Sequence, residues 1–176
     1  MAVRKVLLYP HPLLKRRARE LAEGEAEREL IERVAEDLRA TMRAYPGCVG
    51  IAAPQLGELV RMAVIDVSGH RKTTTCHGEL VLVNPRIEAS QGVEVAREGC
   101  LSIPRLTANV RRASAISLSA RTPAGERLSI DTEGFEARCI LHELDHLDGI
   151  LFLDRVDSLS RDVFRRRTQH PQGAPR

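Results

Sequence analysis

The sequence contains no apolar run that approaches the length of a membrane span, and residues 1–8 lack the apolar stretch and small-residue cleavage site of a signal peptide. Charge of one sign is not in excess either, since 27 Lys and Arg oppose 24 Asp and Glu and leave a net charge of +3. So small and interspersed an imbalance does not indicate nucleic-acid binding as the main role, and no direct DNA binding is expected. These absences favour a cytoplasmic enzyme without membrane contacts.

Paired cysteine spacing is also missing. Cys48, Cys76, Cys100 and Cys139 lie far apart, and a reducing compartment would keep them as thiols, so they are candidates for metal ligands or core residues. Cys139 is most simply a small apolar core residue. Cys76 precedes His77 in a polar loop, and this pair is interpreted as incidental.

Internal repeats and low-complexity linkers are absent, and 176 residues with 43% hydrophobic side chains suffice for one domain with a real core. We therefore expect a single catalytic domain over residues 1–176. Within it, residues 158–167 carry four arginines and are predicted as a short basic helix, and residues 168–176 are predicted as a frayed tail.

The most informative pattern that is present is His142–His146, two histidines four positions apart with Glu143 beside the first. On a helix, residues i and i+4 share a face, so both imidazoles can reach one metal ion while Glu143 lies close enough to exchange a proton with activated water. Gly134 and Gly149 bracket a helix of about four turns around this motif. The pattern predicts metal-assisted hydrolysis, and it requires a third protein ligand. A core helix with histidines satisfied by neighbours is the alternative.

The rest of the chain predicts an α+β fold. Residues 21–45 place apolar side chains at three- and four-residue intervals, which is typical of an amphipathic helix. Strand-like runs follow before the histidine motif. The order helix, sheet, helix indicates antiparallel sheets packed around a central HExxH metal-binding helix, with an N-terminal amphipathic helix. The predicted strands are residues 59–67, 80–88, 93–98, 113–121 and 126–132.

Two further segments, Cys48–Gln55 and Glu98–Pro104, have an amino-acid composition that favours an exposed backbone rather than core packing. Both are predicted as loops at strand or helix ends. Together with His142–His146 they resemble the three motifs of the peptide deformylases, in the same order, and the resemblance extends from Tyr9 to Asp154. Enzymes of that family remove the formyl group from the N-terminal methionine of newly made proteins. The resemblance therefore implies a metal-dependent hydrolase that acts on N-formylmethionyl nascent peptides and releases formate.

The resemblance also implies the metal site. Carried over residue by residue, Cys100 supplies the third ligand as a thiolate and joins His142 and His146, with one position left for water. Fe(II) is the ion expected in the cell, one per chain. Because a thiolate beside ferrous iron is open to oxidation, Zn, Ni or Co are expected to substitute when the protein is purified in air.

Roles in catalysis follow from the same resemblance. Glu143 is expected to take a proton from water as general base and return it to the departing amine. The side-chain amide of Gln55 and the backbone N–H of Leu101 are expected to bind the negative charge that develops on the formyl oxygen.

The resemblance further implies how the substrate binds. Gly50 and Gly99 are expected at an exposed edge to which the peptide adds as a strand. An apolar pocket for the methionine side chain is expected from Val49, Phe135, Cys139 and the ring of His142. Plain core packing is the alternative for the first three of these.

An outer layer of charged residues is expected around the metal. The resemblance suggests that Glu98 and Arg112 form an ion pair that steadies the Cys100 segment, although two solvated charges are the alternative. Asp145 is a candidate for orienting a ligand imidazole, unless it caps the helix or faces water. Cys48 departs from the family pattern, which has glycine at this position, and it places a second thiol near the predicted metal.

Two rival functions remain open from the residues. A zinc endopeptidase would take its third ligand after His146, where His170, Asp154 and Asp157 are candidates, but they do not explain the Cys100 segment. An inactive, ribosome-associated binder is opposed by the presence of Glu143. Docking of residues 158–167 near the peptide exit of the ribosome, through phosphate contacts, is a further possibility, with a solvated terminal helix as its alternative.

Overall fold

Two antiparallel sheets enclose a central helix in the computed structural model, which describes residues 2–166. The helices are α1, Glu25–Ala44; α2, Gly134–Leu147; and α3, a single turn at Leu159–Asp162. The strands are β1 Gly50–Ala52, β2 Met62–Ile65, β3 Leu80–Gln91, β4 Glu94–Cys100, β5 Ile103–Arg112, β6 Ala115–Arg121, β7 Arg127–Glu133 and β8 Val163–Arg165.

Strands β1 and β4 are both edge strands, because each lies at one end of its sheet. The larger sheet has the order β1-β2-β3-β6-β7 and the smaller one has β4-β5-β8. Neighbouring strands pair antiparallel throughout both sheets. Each edge strand therefore keeps one side of its backbone without a strand partner among the described residues.

Helix α1 packs on the larger sheet with one apolar face. Ile31, Val34, Leu38 and Met42 are buried at helical spacing against β1 and β2. Residues 21–24, which the periodicity assigned to this helix, precede it. Leu21 is instead held by Asn84, which accepts from the Leu21 N–H at 2.9 Å and donates to its carbonyl at 2.8 Å.

Helix α2 packs on the larger sheet, where it contacts β1, β2, β6 and β7. Ala137, Ile140, Leu144 and Leu147 are buried on its apolar face. The helix stops directly after the second histidine of the motif because Gly149 adopts a φ of 72°, which favours glycine. An added Cβ at Gly149 would lie 2.7 Å from the Lys15 carbonyl carbon, so only glycine allows the backbone at residue 149 to approach that at residue 15 this closely.

The prediction of loops for the two exposed-backbone segments is wrong in part. Gly50–Ala52 forms strand β1, and the following residues, Ala53–Leu56, form a 3₁₀ turn. Glu98–Cys100 ends β4, and Ile103 begins the unpredicted strand β5 after a two-residue turn. Both segments are rich in small residues, but pairing with β2 and with β5 decides their conformation, and the composition of the segments does not show that pairing.

The prediction of a helix over residues 158–167 is wrong for residues 163–166, and residue 167 lies outside the described residues. The chain turns once as α3 and then pairs with the open edge of β5, with Thr107 opposite Phe164. The available edge and the β-favouring Val163 and Phe164 outweigh the helical preference of the arginines. The predicted tail at 168–176 lies outside the described residues. Over residues 2–166, no helix has the length and apolarity needed to cross a membrane.

Candidate metal centre and substrate cavity

Three potential ligands converge from two elements. Cys100 ends strand β4, whereas His142 and His146 lie one helical turn apart on α2. One ligand atom from each of the three lies within 4.8 Å of the others, and Cys100 Sγ is 3.2 Å from His146 Nε2. A thiolate and two imidazoles form a donor set that suits zinc or ferrous iron.

The electrostatics of this cluster fit a cation. Burial raises the pKa of the Cys100 thiol, but the charges and hydrogen bonds of His146 and His142 outweigh it and hold that pKa well below its usual value. Burial lowers the pKa of His142, yet its hydrogen bonds with Cys100 and Glu98 raise that pKa well above the ordinary value. The site thus favours a thiolate facing positive charge, which a divalent ion can supply with both imidazoles neutral.

Glu98 orients the first imidazole. His142 Nδ1 lies 2.9 Å from Glu98 Oε2, so a proton on Nδ1 leaves Nε2 as the ligand atom. Burial raises the pKa of Glu98, but His142 and Arg112 outweigh it and lower that pKa to about 2. The group is therefore a carboxylate, and so a hydrogen-bond acceptor, near neutral pH. This role was not predicted, although the position of Glu98 two residues before Cys100 is a signal for it.

An ion-pair network supports Glu98. Arg112 donates to Glu98 through Nε at 2.6 Å and Nη2 at 3.0 Å, which confirms the predicted pair, and Arg138 Nη1 adds a bond of 2.8 Å. Asp145 does not contact an imidazole in the described structure. It accepts from Arg112 at 2.8 Å and from Arg155 at 2.6 Å instead. Neither Arg138 nor Arg155 was predicted, because an arginine on a helix or in a short turn carries no local signal of its carboxylate partner.

Glu143 lies against the backbone of β1. A Cβ built on Gly50 would lie 2.7 Å from Glu143 Oε1, so only glycine admits the carboxyl at this position. Glu143 is 4% exposed, and burial raises its pKa to about 7 even though the charges of His142 and His146 lower it. A carboxyl with this pKa can both accept and release a proton near neutral pH.

Gln55 is fixed with its amide hydrogens toward the cluster. Its Oε1 accepts from the Ala52 N–H at 2.9 Å, which sets the orientation of the amide. Its Nε2 donates to Ser102 Oγ at 3.1 Å and lies 3.5 Å from Cys100 Sγ. Leu101, in the turn after Cys100, packs with its side chain against the core beneath α1.

A cavity of about 280 Å³ opens in front of this cluster. Its size is close to the lower end, roughly 300 Å³, of small-molecule sites. Its walls include most of the predicted site residues, namely Val49, Gly50, Gln55, Gly99, Cys100, Leu101, Phe135, Cys139, His142 and Glu143.

The three residues predicted to line the methionine pocket have positions that agree both with pocket lining and with core packing. Val49, Phe135 and Cys139 line the cavity and also pack in the core formed by α2 and the larger sheet. Cys48 lines the cavity too, and its Sγ lies 3.1 Å from the Gly50 carbonyl. Burial raises the pKa of Cys48 to about 12, so its thiol stays protonated near neutral pH.

The cavity also has walls that were not predicted. Loop 66–79, between β2 and β3, contributes His70, Arg71 and Lys72, whereas β4 contributes Arg97 and the residue after β8 is Arg166. A polar loop and a terminal run of arginines give no sign in the sequence that they meet at one opening.

Comparison with known proteins gives a consistent result. A family model described as polypeptide deformylase matches residues 3–162. A curated peptide deformylase of Nitrosococcus oceani is 37% identical over 172 residues, which cover 98% of this chain and 98% of that protein. A crystal structure of a peptide deformylase from Legionella pneumophila is similar with a TM-score of 0.79 and 36% identity, covering 91% of this chain and 89% of that one.

A second solved structure shows a ligand. It is a class I type b peptide deformylase from Acinetobacter baumannii bound to Met-Ala-Ser, with a TM-score of 0.81 and 31% identity. The match covers 88% of this chain and 100% of that chain.

Proposed function

The chain belongs to the peptide deformylase family of hydrolases, and from that premise we propose that it removes the N-formyl group from the N-terminal formylmethionine of nascent polypeptides and releases formate. The observation that carries this proposal is the convergence of Cys100, His142 and His146 beside Glu143, at the end of a cavity open to solvent. Such an arrangement supports water activation next to a bound amide.

We infer that Cys100, His142 and His146 hold one divalent ion. Fe(II) is the proposed ion in the cell, and Zn, Ni or Co are proposed to substitute in air, since thiolate and imidazole donors accept all four. When bound, the ion supplies Lewis acidity that lowers the pKa of water toward neutrality. Glu98 keeps the His142 ring in the ligating orientation through the 2.9 Å contact with Nδ1.

Glu143 moves the proton in the proposed reaction. Its carboxylate removes a proton from water as the water oxygen bonds to the formyl carbon. The same group then gives that proton to the peptide nitrogen as the C–N bond breaks, so formate and a free amine result. The close approach of Glu143 to Gly50 fixes the carboxyl at the edge along which we place the substrate.

The formyl oxygen gains negative charge as water adds. The Gln55 amide, whose orientation is set by the Ala52 N–H, supplies one donor in the proposal, and the Leu101 backbone N–H supplies the other. Removing one such donor in comparable sites lowers kcat by roughly 100- to 1000-fold.

The substrate backbone is proposed to bind as an added strand. Gly50 in β1 and Gly99 in β4 each lie on an edge strand, one in either sheet, and both line the cavity. Main-chain hydrogen bonds to such edges do not depend on side chains, which suits an enzyme that acts on many nascent chains. The methionine side chain is proposed to fill the part lined by Val49, Phe135 and Cys139, beside the ring of His142.

The test is release of formate from formyl-Met-Ala-Ser by protein loaded anaerobically with Fe(II). Glu143→Ala should lower kcat by roughly 100- to 10,000-fold, as expected for loss of a general base, while metal content stays at one ion per chain. Glu126→Ala, at an exposed turn between β6 and β7, is the matched control and should act as the parent does. A folded, metal-loaded parent that releases no formate would contradict the proposal.

The rival endopeptidase has less support. Asp154 pairs with Lys15 at 2.6 Å, and Asp157 pairs with Arg111 at 3.2 Å, so both carboxylates have other partners. His170 lies outside the described residues. The presence of Glu143 at the cluster likewise favours an active enzyme over an inactive binder. Docking near the ribosomal peptide exit stays a prediction.

A further inference from the structure

The mouth of the cavity carries positive charge from two separate parts of the chain. Loop 66–79 brings two cationic side chains from one side, and β4 together with the residue after β8 brings two from the other. All four residues are exposed and all four line the cavity. We name this set the basic rim: Arg71, Lys72, Arg97 and Arg166.

Neutral groups contact two of the four side chains of the basic rim. Arg97 Nε donates to Asn109 Oδ1 at 3.1 Å, and the guanidinium lies 3.5 Å from the centroid of the Phe164 ring. Lys72 Nζ lies 5.6 Å from the centroid of Phe135. The ion pairs found among residues 2–166 include none of the four rim cations. Their charge is therefore available to a ligand at the opening.

The acidic residues of the cavity do not neutralise the rim. Glu98 and Glu143 are the two carboxylates in the cavity wall among the described residues, and both are buried at its inner end. Glu98 is already paired with Arg112 and Arg138. A peptide leaving the cavity thus passes these cations, and the part of the cavity wall that the structure describes has no exposed carboxylate.

Loop 66–79 is anchored, so its backbone keeps both cationic residues at the opening of the cavity. The buried Glu136 accepts from the His77 backbone N–H at 2.8 Å and lies 2.7 Å from His77 Nδ1. At the other end, the Thr73 hydroxyl donates to a backbone carbonyl at 2.7 Å. Between these anchors, the His70 ring stacks on Phe135 with centroids 4.3 Å apart. Groups held in advance lose less conformational entropy when a ligand binds.

We propose that the basic rim selects formylated peptides with acidic side chains at the positions that follow methionine. The inference rests on the proposed function, because methionine must occupy the inner cavity for the next residues to cross the rim. Side chains at the second to fourth positions then lie within a Debye length of the four cations. Attraction at this range raises the association rate and lowers KM for acidic sequences.

The first measurement is kcat/KM for formyl-Met-Ala-Glu-Glu, formyl-Met-Ala-Lys-Lys and formyl-Met-Ala-Ser at about 0.05 M salt. The acidic peptide should exceed the basic one by about fivefold to tenfold, with the neutral peptide between them. At about 0.5 M salt the ratio should fall toward one, because screening weakens exposed charge contacts.

Two double variants locate the effect. Arg71→Gln/Lys72→Gln should reduce the acidic-to-basic ratio to about twofold. Arg28→Gln/Arg127→Gln removes the same charge from exposed residues outside the cavity and should leave the ratio as in the parent. An equal loss in both double variants would overturn the proposal, since net charge alone would then explain the preference.

Calorimetry tests the charge preference of the basic rim independently of catalysis. It measures binding of the product peptides Met-Ala-Glu-Glu and Met-Ala-Lys-Lys. If no formate is released, the proposed function fails, and the ratio of the two dissociation constants still decides this inference. If the two product peptides had equal dissociation constants and the acidic and basic substrates had equal kcat/KM, while formyl-Met-Ala-Ser was hydrolysed normally, the inference about the basic rim would be overturned. The proposed function would then still stand. Tight binding of a single-stranded RNA oligomer with no peptide preference would overturn it in favour of nucleic acid.

Discussion

The inner end of the cavity and its rim both contain arginines, but those arginines are held by different partners. At the inner end, Arg112 and Arg138 bind the carboxylate of Glu98, and all three residues are buried. At the rim, Arg97 is exposed and rests on an amide and an aromatic ring. Buried charges must be paired, because an unpaired one loses its hydration without compensation, whereas exposed charges remain hydrated.

This difference matches two tasks. A metal ligand has to stay in one orientation, and the Glu98 network provides that through several short bonds at once. A rim that meets many peptide sequences needs attraction that tolerates variation, which exposed cations provide. Removing one partner at each place tests how far the two regions differ.

The largest effect is expected for Glu98→Ala. The change leaves Arg112 and Arg138 buried without their shared carboxylate and frees the ring of His142. Loss of one partner of a buried pair typically costs about 3 to 5 kcal/mol of stability. Denaturant unfolding should show this decrease, and metal analysis should find less than one ion per chain. A fully stable, fully loaded variant would show that the network does not hold the site.

A smaller effect, on activity alone, is expected for Gly50→Ala. The new methyl group would meet Glu143 Oε1 at 2.7 Å and displace the carboxyl. Misplacement of a catalytic group by about 1 Å can cost roughly 100-fold in rate, and formate release would measure it. Glu126→Ala, at the exposed turn between β6 and β7 and outside the cavity, is the control and should act as the parent does. Similar activity in both variants would contradict this account.

The smallest effect is expected at the rim, for Asn109→Ala. Arg97 loses its bond from Nε but keeps its contact with Phe164 and its hydration. The expected loss is below about 1 kcal/mol, as for other exposed polar pairs. Denaturant unfolding of Asn109→Ala and Glu98→Ala under the same conditions compares the two losses of unfolding free energy directly. A loss as large as that of Glu98→Ala would mean that the rim is as tightly integrated as the inner end.

Several elements followed from local patterns. The spacing of His142 and His146 and the amphipathic periodicity of residues 21–45 are properties of neighbouring residues, and the helices lie close to the expected bounds. The last two predicted strands, around the Thr122–Gly125 turn, correspond to β6 and β7 for the same reason. Strand β5 was missed, because its 10 residues carry scattered polar side chains without clear alternation.

The amino-acid sequence by itself determined which chemical groups are available and where helices can form. Their assembly was decided by tertiary structure. His142 meets Glu98 across 44 positions, His77 meets Glu136 across 59, and β8 pairs with β5 from the far end of the described chain. Contacts of this kind depend on which buried groups find partners when the whole chain packs, and no short window of residues contains that information.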